Sequence, residues 1–159
     1  MLLDFVKIFL ITLIPTLELR ASIPYGIIAL DMHWVLVFIV AVVSNIVLGL
    51  IVWFFVNYVM HYFLRIKFVF KIYNKFVVRT QRKLGPYVEK YGVLGLALFI
   101  GVPLPGSGVY TGGLGAYLLG YKFKDYFVAS IIGVFIASVI VTFVVVSGGS
   151  GYDLFVKML

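Results

Sequence analysis

Glu18 and Arg20 are the residues best able to do chemistry, because both lie inside an apolar stretch, Phe5 to Leu30. An ionisable group in such a setting is expensive and is kept where it binds or moves an ion. The two are two positions apart, so on a regular α-helix they do not face each other. Either the backbone is irregular here or each has its own partner. Irregular backbone at membrane depth is tolerated only inside protein or along a water-filled cavity. Pro15 and Pro24 favour a broken helix. In a polar cavity a glutamate can carry a proton or hold a counter-ion, and an arginine can grip an oxyanion through two parallel hydrogen bonds. The bland alternative is an interfacial pair whose side chains reach out to water.

A second break supplies the complement. Gly101-Val102-Pro103-Leu104-Pro105-Gly106-Ser107-Gly108 interrupts the apolar stretch Tyr91 to Tyr121. Pro103 and Pro105 followed by Gly106, Ser107 and Gly108 cannot continue a helix. Ser107 is a candidate N-cap for a half-helix starting near Gly108. The first-turn N–H groups of that half-helix present the positive end of its dipole and attract anions, phosphates included. The glycines let a ligand approach the backbone, or simply make a tight turn. Tyr25, Tyr110 and Thr111 flank the breaks and are candidate ligand contacts, with Pro24 beside them.

Composition places these residues in a membrane. Of 159 residues, 64% are hydrophobic and 12% charged, and 13 Lys and Arg against six Asp and Glu give a net charge of +7. A soluble domain this short has too much surface for so few charges. There is no cysteine, which excludes a disulfide scaffold, a Cys-ligated zinc site and a thiol nucleophile. No metal or cofactor set and no catalytic constellation of an enzyme is visible. Trp34 to Met60 and Tyr126 to Ser147 are free of charged residues and long enough to cross ~30 Å of hydrocarbon. The two broken stretches read as re-entrant hairpins, residues 5–30 with a turn around Glu18 to Pro24 and a short return arm Tyr25 to Leu30, and residues 91–121 with arms Tyr91 to Ile100 and Val109 to Tyr121. Lys7 before an apolar run resembles a signal peptide, but Glu18 and Arg20 stand where a small-residue cleavage site belongs.

The order is broken, continuous, basic linker, broken, continuous. The expected fold is therefore an all-α integral membrane protein with two inverted repeats. The first (1–60) is a re-entrant hairpin 5–30 plus a transmembrane helix 34–60. The second (91–147) is a re-entrant hairpin 91–121 plus a transmembrane helix 126–147. A basic helix 62–90 joins them and a tail 148–159 follows. Inverted repeats with broken helices at the midplane are a transporter pattern. Four full spans fit the charge distribution equally well, since the positive-inside rule puts the linker, residues 65–90, in the cytoplasm either way. The two layouts differ in where the termini lie.

In the linker Lys67, Lys71, Lys75, Arg79 and Lys83 recur every four residues with apolar residues between them. This is the pattern of a basic amphipathic helix lying on anionic lipid headgroups, or of a topology signal alone. Nucleic acid is not expected between two membrane segments. Gly108, Gly112, Ala116 and Gly120, and Ala129, Gly133 and Ala137, form small-residue faces for helix packing, within the chain or between the chains of a dimer. Asn45 is expected to bond to a neighbouring helix. His33 and His61 bound the first span, too far apart to share a metal, and the eleven Tyr and two Trp suit aromatic belts.

Glu18-Leu19-Arg20-Ala21-Ser22-Ile23-Pro24-Tyr25-Gly26, then Gly101 to Gly108 with Thr111-Gly112 downstream, resembles the small multidrug export protein family. That family is similar in layout to the DedA/VTT membrane proteins, with two re-entrant hairpins facing each other. The resemblance covers nearly the whole chain. It implies transport or scrambling of lipids, polyprenyl-phosphate carriers among them, with a link to the proton-motive force. It carries Glu18 and Arg20 over as the acidic and basic residues of the first hairpin. The DedA pattern has arginines in the second hairpin; Leu98 to Thr111 has none, which leaves Arg20 and backbone amides to hold an anion. Three functions are in view: movement of a lipid phosphate between leaflets of the plasma or inner membrane, proton-coupled export of small drugs or cations, and a non-transporting role in organising membrane partners.

Overall fold

Apolar periodicity, proline and glycine decide where the helices start and stop. The computed structural model describes residues 2–15, 17–63, 91–103 and 107–148, with backbone alone at 60–63. The helices are α1 (Leu2–Thr12), α2 (Glu18–Pro24) running into a π-turn (Tyr25–Ala29), α3 (Trp34–Phe63), α4 (Tyr91–Gly101), α5 (Val109–Leu118) and α6 (Phe123–Val146). Every element described is helical. The linker residues Lys67, Lys71, Lys75, Arg79 and Lys83, Pro105 and Gly106 in the second break, and the tail from 149 lie outside the described residues.

Two helices have the length and composition to cross a membrane: Trp34–Val59, 26 residues, and Phe123–Val146, 24 residues. The first lies within the charge-free window read from the sequence, and the second begins three residues before its window. At α6 the reason is local: the Lys122 N–H donates to Asp125 Oδ2 at 3.3 Å, and an acid in the first turn complements the helix dipole. Outward-facing Phe54 and Phe55 are each 64% exposed. On a soluble protein such a surface would be a liability; against lipid it is the proper face. The two long helices run antiparallel. Trp53 stacks on Tyr126, ring centroids 5.0 Å apart, while nearer the opposite ends Phe38 meets Phe135 edge-on at 5.8 Å.

Each broken segment folds back on itself. In the first, Thr12 Oγ1 donates to Ser22 Oγ at 2.8 Å, and a Cβ on Gly26 would lie 3.0 Å from Ile8 Cδ1. In the second, Tyr121 Oη donates to the Gly92 carbonyl at 2.8 Å, and Gly112 sits against Ile100. Arms of 10 to 12 residues rise only ~15–18 Å, about half a bilayer core.

The turn of the first hairpin departs from the sequence reading. It falls between the end of α1 at Thr12 and Glu18, not at Glu18 to Pro24, and the return arm runs from Glu18 to Ala29. Pro15, lacking an N–H, ends α1, and the chain crosses by short bonds such as Leu17 N–H to Ile14 O, 3.2 Å. Pro24 does not break its helix. Its missing donor is absorbed downstream, where the ladder widens and the Leu30 N–H reaches the Tyr25 carbonyl at 3.1 Å. A proline followed by a π-turn is a known way to bend a helix without ending it.

The small-residue faces of α5 and α6 are used inside the chain. Ile100 of α4 wedges between them: a Cβ on Gly112 would lie 2.5 Å from Ile100 Cγ1, and one on Gly133 would lie 2.7 Å from both Ile100 Cβ and the Ala97 carbonyl oxygen. A backbone oxygen cannot rotate away. Gly133→Ala is therefore expected to lower the thermal midpoint in detergent, at a cost of roughly 1–3 kcal/mol for overpacking. Gly115→Ala, where a Cβ meets open space, should leave the midpoint unchanged or raise it. Equal midpoints for the two variants would contradict this packing.

Candidate functional site

The tips of the two hairpins meet. Glu18 opens α2 with φ 46°, the left-handed region that a residue with a long side chain rarely adopts. This turns its carboxylate away from its own hairpin and onto the first turn of α5. Glu18 Oε2 accepts from the Val109 N–H at 3.3 Å and Oε1 from the Tyr110 N–H at 3.4 Å. Glu18 is 5% exposed. A carboxylate on the free N–H groups of a half-helix is the arrangement that both hydrogen bonding and the dipole favour.

Gly108 makes the approach possible. It precedes α5 with φ 107° and ψ −167°, and a Cβ there would lie 2.5 Å from Glu18 Oε2. The N-cap is thus Gly108 rather than Ser107, and it makes no side-chain cap bond. The reason is that Ser107 is engaged elsewhere. Its hydroxyl donates to the Val102 carbonyl, and both its hydroxyl and its carbonyl accept from Arg20 Nη2, at 2.8 and 3.0 Å. Arg20, also 5% exposed, therefore grips the loop that leads into α5 while Glu18 grips the helix itself. A third bond closes the contact: Tyr110 Oη donates to the Leu13 carbonyl at 2.6 Å.

The two ionisable residues do have separate partners, and the backbone at Glu18 is irregular, so both explanations offered by their spacing hold together. Glu18, Arg20, Ser107, Gly108 and Tyr110 come together. Thr111 lies next to them in the first turn of α5, exposed, with its hydroxyl donating to the Gly108 carbonyl at 3.4 Å. Pro103 follows the end of α4. Pro24 and Tyr25 are further off, along the return arm by ~9–10 Å of helix rise from Glu18. Among the described residues no group of three or more His, Asp or Glu could hold a metal.

The sequence reading missed Tyr126. It is fully buried, and its hydroxyl lies 3.3 Å from the carbonyls of both Gly49 and Val109, to which it can donate. Val109 is thereby held from both sides, by Glu18 at its N–H and by Tyr126 at its carbonyl. The available signal was position: Tyr126 shares a face of α6 with Ala129, Ser130 and Gly133 rather than with the aromatic residues that face outward. The expected bond from Asn45 to a neighbouring helix is not formed. Neither polar atom of its side chain has a partner among the described residues.

A family comparison bears on this site directly. The family model described as small multi-drug export protein matches residues 18–140. The chain belongs to that family. The match begins at Glu18 and takes in the return arm of the first hairpin, α3, the second hairpin and α6 as far as residue 140. It agrees with the two apolar helices in making this a membrane protein of an export family. No curated protein and no solved structure matches the chain.

Proposed function

We propose that this small multi-drug export family member is a transporter whose two hairpins are re-entrant, dipping into the bilayer from opposite faces and meeting near the midplane. The antiparallel course of α3 and α6 supports this. With the linker held at one face, four full spans would make the second and fourth segments parallel. An antiparallel pair requires the α4–α5 segment to return to the face it left. The basic residues of 65–90 then mark the cytoplasmic side of the plasma membrane.

The substrate that best fits the meeting point is a lipid phosphate. The observation that carries this reading is the seat of Glu18: an anion already occupies the N–H groups of Val109 and Tyr110, with Arg20 bound to the adjoining loop. A phosphate has the charge and the oxygens to take that seat. A protonated Glu18 is a weaker acceptor than a carboxylate, so protonation frees the N–H groups for the lipid anion. Arg20 then turns from Ser107 to the phosphate. Proton and lipid anion thus move in one cycle. Arg20→Ala in proteoliposomes should slow translocation of a fluorescent polyprenyl phosphate by roughly tenfold or more, the scale of a lost charged hydrogen bond. Unchanged translocation would overturn the lipid-phosphate assignment.

The family description, small multi-drug export, supports a second reading, export of small drugs, to which we add proton coupling with Glu18 as the exchangeable carboxylate. Drug-induced proton release that persists in Glu18→Gln would remove it.

A further inference from the structure

Asn45 is 0% exposed, and both polar atoms of its amide are without a partner among the described residues. Buried polar groups are as a rule satisfied by protein or by water, and two orphan atoms in one side chain are costly. Ser130, 2% exposed, belongs to the same seam between α3 and α6. Its hydroxyl has no hydrogen-bond partner among the described residues. Gly49 ties the three together. A Cβ there would lie 3.5 Å from Tyr126 Oη and 3.9 Å from Ser130 Cβ, and Asn45 is one turn away on the same face of α3. Tyr126 in turn bonds to the carbonyl of Val109, whose N–H holds Glu18.

We infer that Asn45, Ser130 and the Tyr126 hydroxyl form a water-binding site in the α3–α6 seam, and that its water positions the Tyr126 hydroxyl on the carbonyl of Val109, the residue whose N–H seats Glu18. The ligand is water because of the donor set. Asn45 offers one acceptor and two donors, and Ser130 and Tyr126 offer hydroxyls that both donate and accept. A buried water needs two to four such partners. The seam contributes no charged side chain to hold an ion. The effect on transport rests on the proton-coupled reading above. The hydration itself does not.

The test uses the full chain in lipid bilayers. Water-edited solid-state NMR should show polarisation passing from water to the Asn45 side-chain amide but not to buried Ala129 or Val141. Asn45→Leu, which replaces the water's amide partner with an apolar group of similar volume, should leave the chain folded yet slow pH-gradient-driven flux by about tenfold, the scale of one lost hydrogen bond. Asn45→Ser, which still holds a water, should retain most of the flux. Ser130→Ala is the second variant if Asn45→Leu fails to fold. A dry Asn45 in the wild-type chain overturns the site. A hydrated Asn45 with full flux in Asn45→Leu overturns the positioning role. Wild-type flux indifferent to the pH gradient would defeat the proton-coupled reading, while the NMR signal would still decide the hydration.

Discussion

Glu18→Gln should, on the proposed proton-coupled cycle, cut transport by roughly 100-fold or more, within the range contributed by a positioned proton carrier, with the hairpins still assembled. The variant keeps the side chain's length and one carbonyl oxygen, so one of the Val109 and Tyr110 N–H groups retains an acceptor. The other meets an amide NH₂, a donor against a donor. That mismatch should lower stability by only about 1–3 kcal/mol, the cost of an unsatisfied buried group. What disappears is the negative charge on the α5 terminus and the capacity to pick up and release a proton. The backbone argues that the carboxylate is there for function. A glutamate at φ 46° sits where glycine or asparagine would be at less strain, and strained residues persist mainly at working sites. Flux driven by a pH gradient in proteoliposomes, read beside thermal unfolding, checks this. Glu18→Gln with wild-type flux and wild-type pH dependence would refute the assigned role.

Gly108→Ala should be among the most damaging single-atom additions to the chain. The new Cβ would lie 2.5 Å from Glu18 Oε2, and φ 107° with ψ −167° belongs to a region essentially restricted to glycine. The strain alone is worth about 1–3 kcal/mol. Expelling the carboxylate from its seat adds the loss of charged hydrogen bonds, about 1.5–3 kcal/mol each. The expected loss of stability is therefore about 3 kcal/mol or more, seen as a lowered thermal midpoint in detergent together with lost flux. Combining Gly108→Ala with Glu18→Gln should cost less than the sum of the two, because both act on one contact. Strict additivity would mean that the seat is not shared.

Much of this architecture was legible in the sequence because it is written in proline, glycine and charge. The second break was placed almost residue for residue: Tyr91–Gly101 and Val109–Leu118 against arms expected at Tyr91 to Ile100 and Val109 to Tyr121. Glu18 and Arg20 stood out because charge in an apolar segment is conspicuous. The first turn was misplaced because two prolines competed for it. Pro15 ends a helix; Pro24 sits inside one, rescued by a π-turn that no local pattern announces. Pairing was harder still. That Glu18 would fill the seat reserved for an outside anion, and that Ser107 would serve Arg20 instead of α5, depends on how two hairpins dock. The same holds for Tyr126 and Asn45, whose partners or lack of them are set by how α3, α5 and α6 pack against one another. Such facts belong to tertiary structure and leave no periodic trace.

The seat of Glu18 also has a history during synthesis. Its two partners lie 91 and 92 residues further along the chain. At roughly 5–20 residues per second of translation, they emerge about 5–18 s after the glutamate. For that interval the first hairpin must wait with an acidic tip and no helix terminus to receive it. It cannot settle unaided into lipid, because an ionisable group at depth is costly without a partner. The carboxylate that closes the finished structure thus ties the settling of the first hairpin to the arrival of the second.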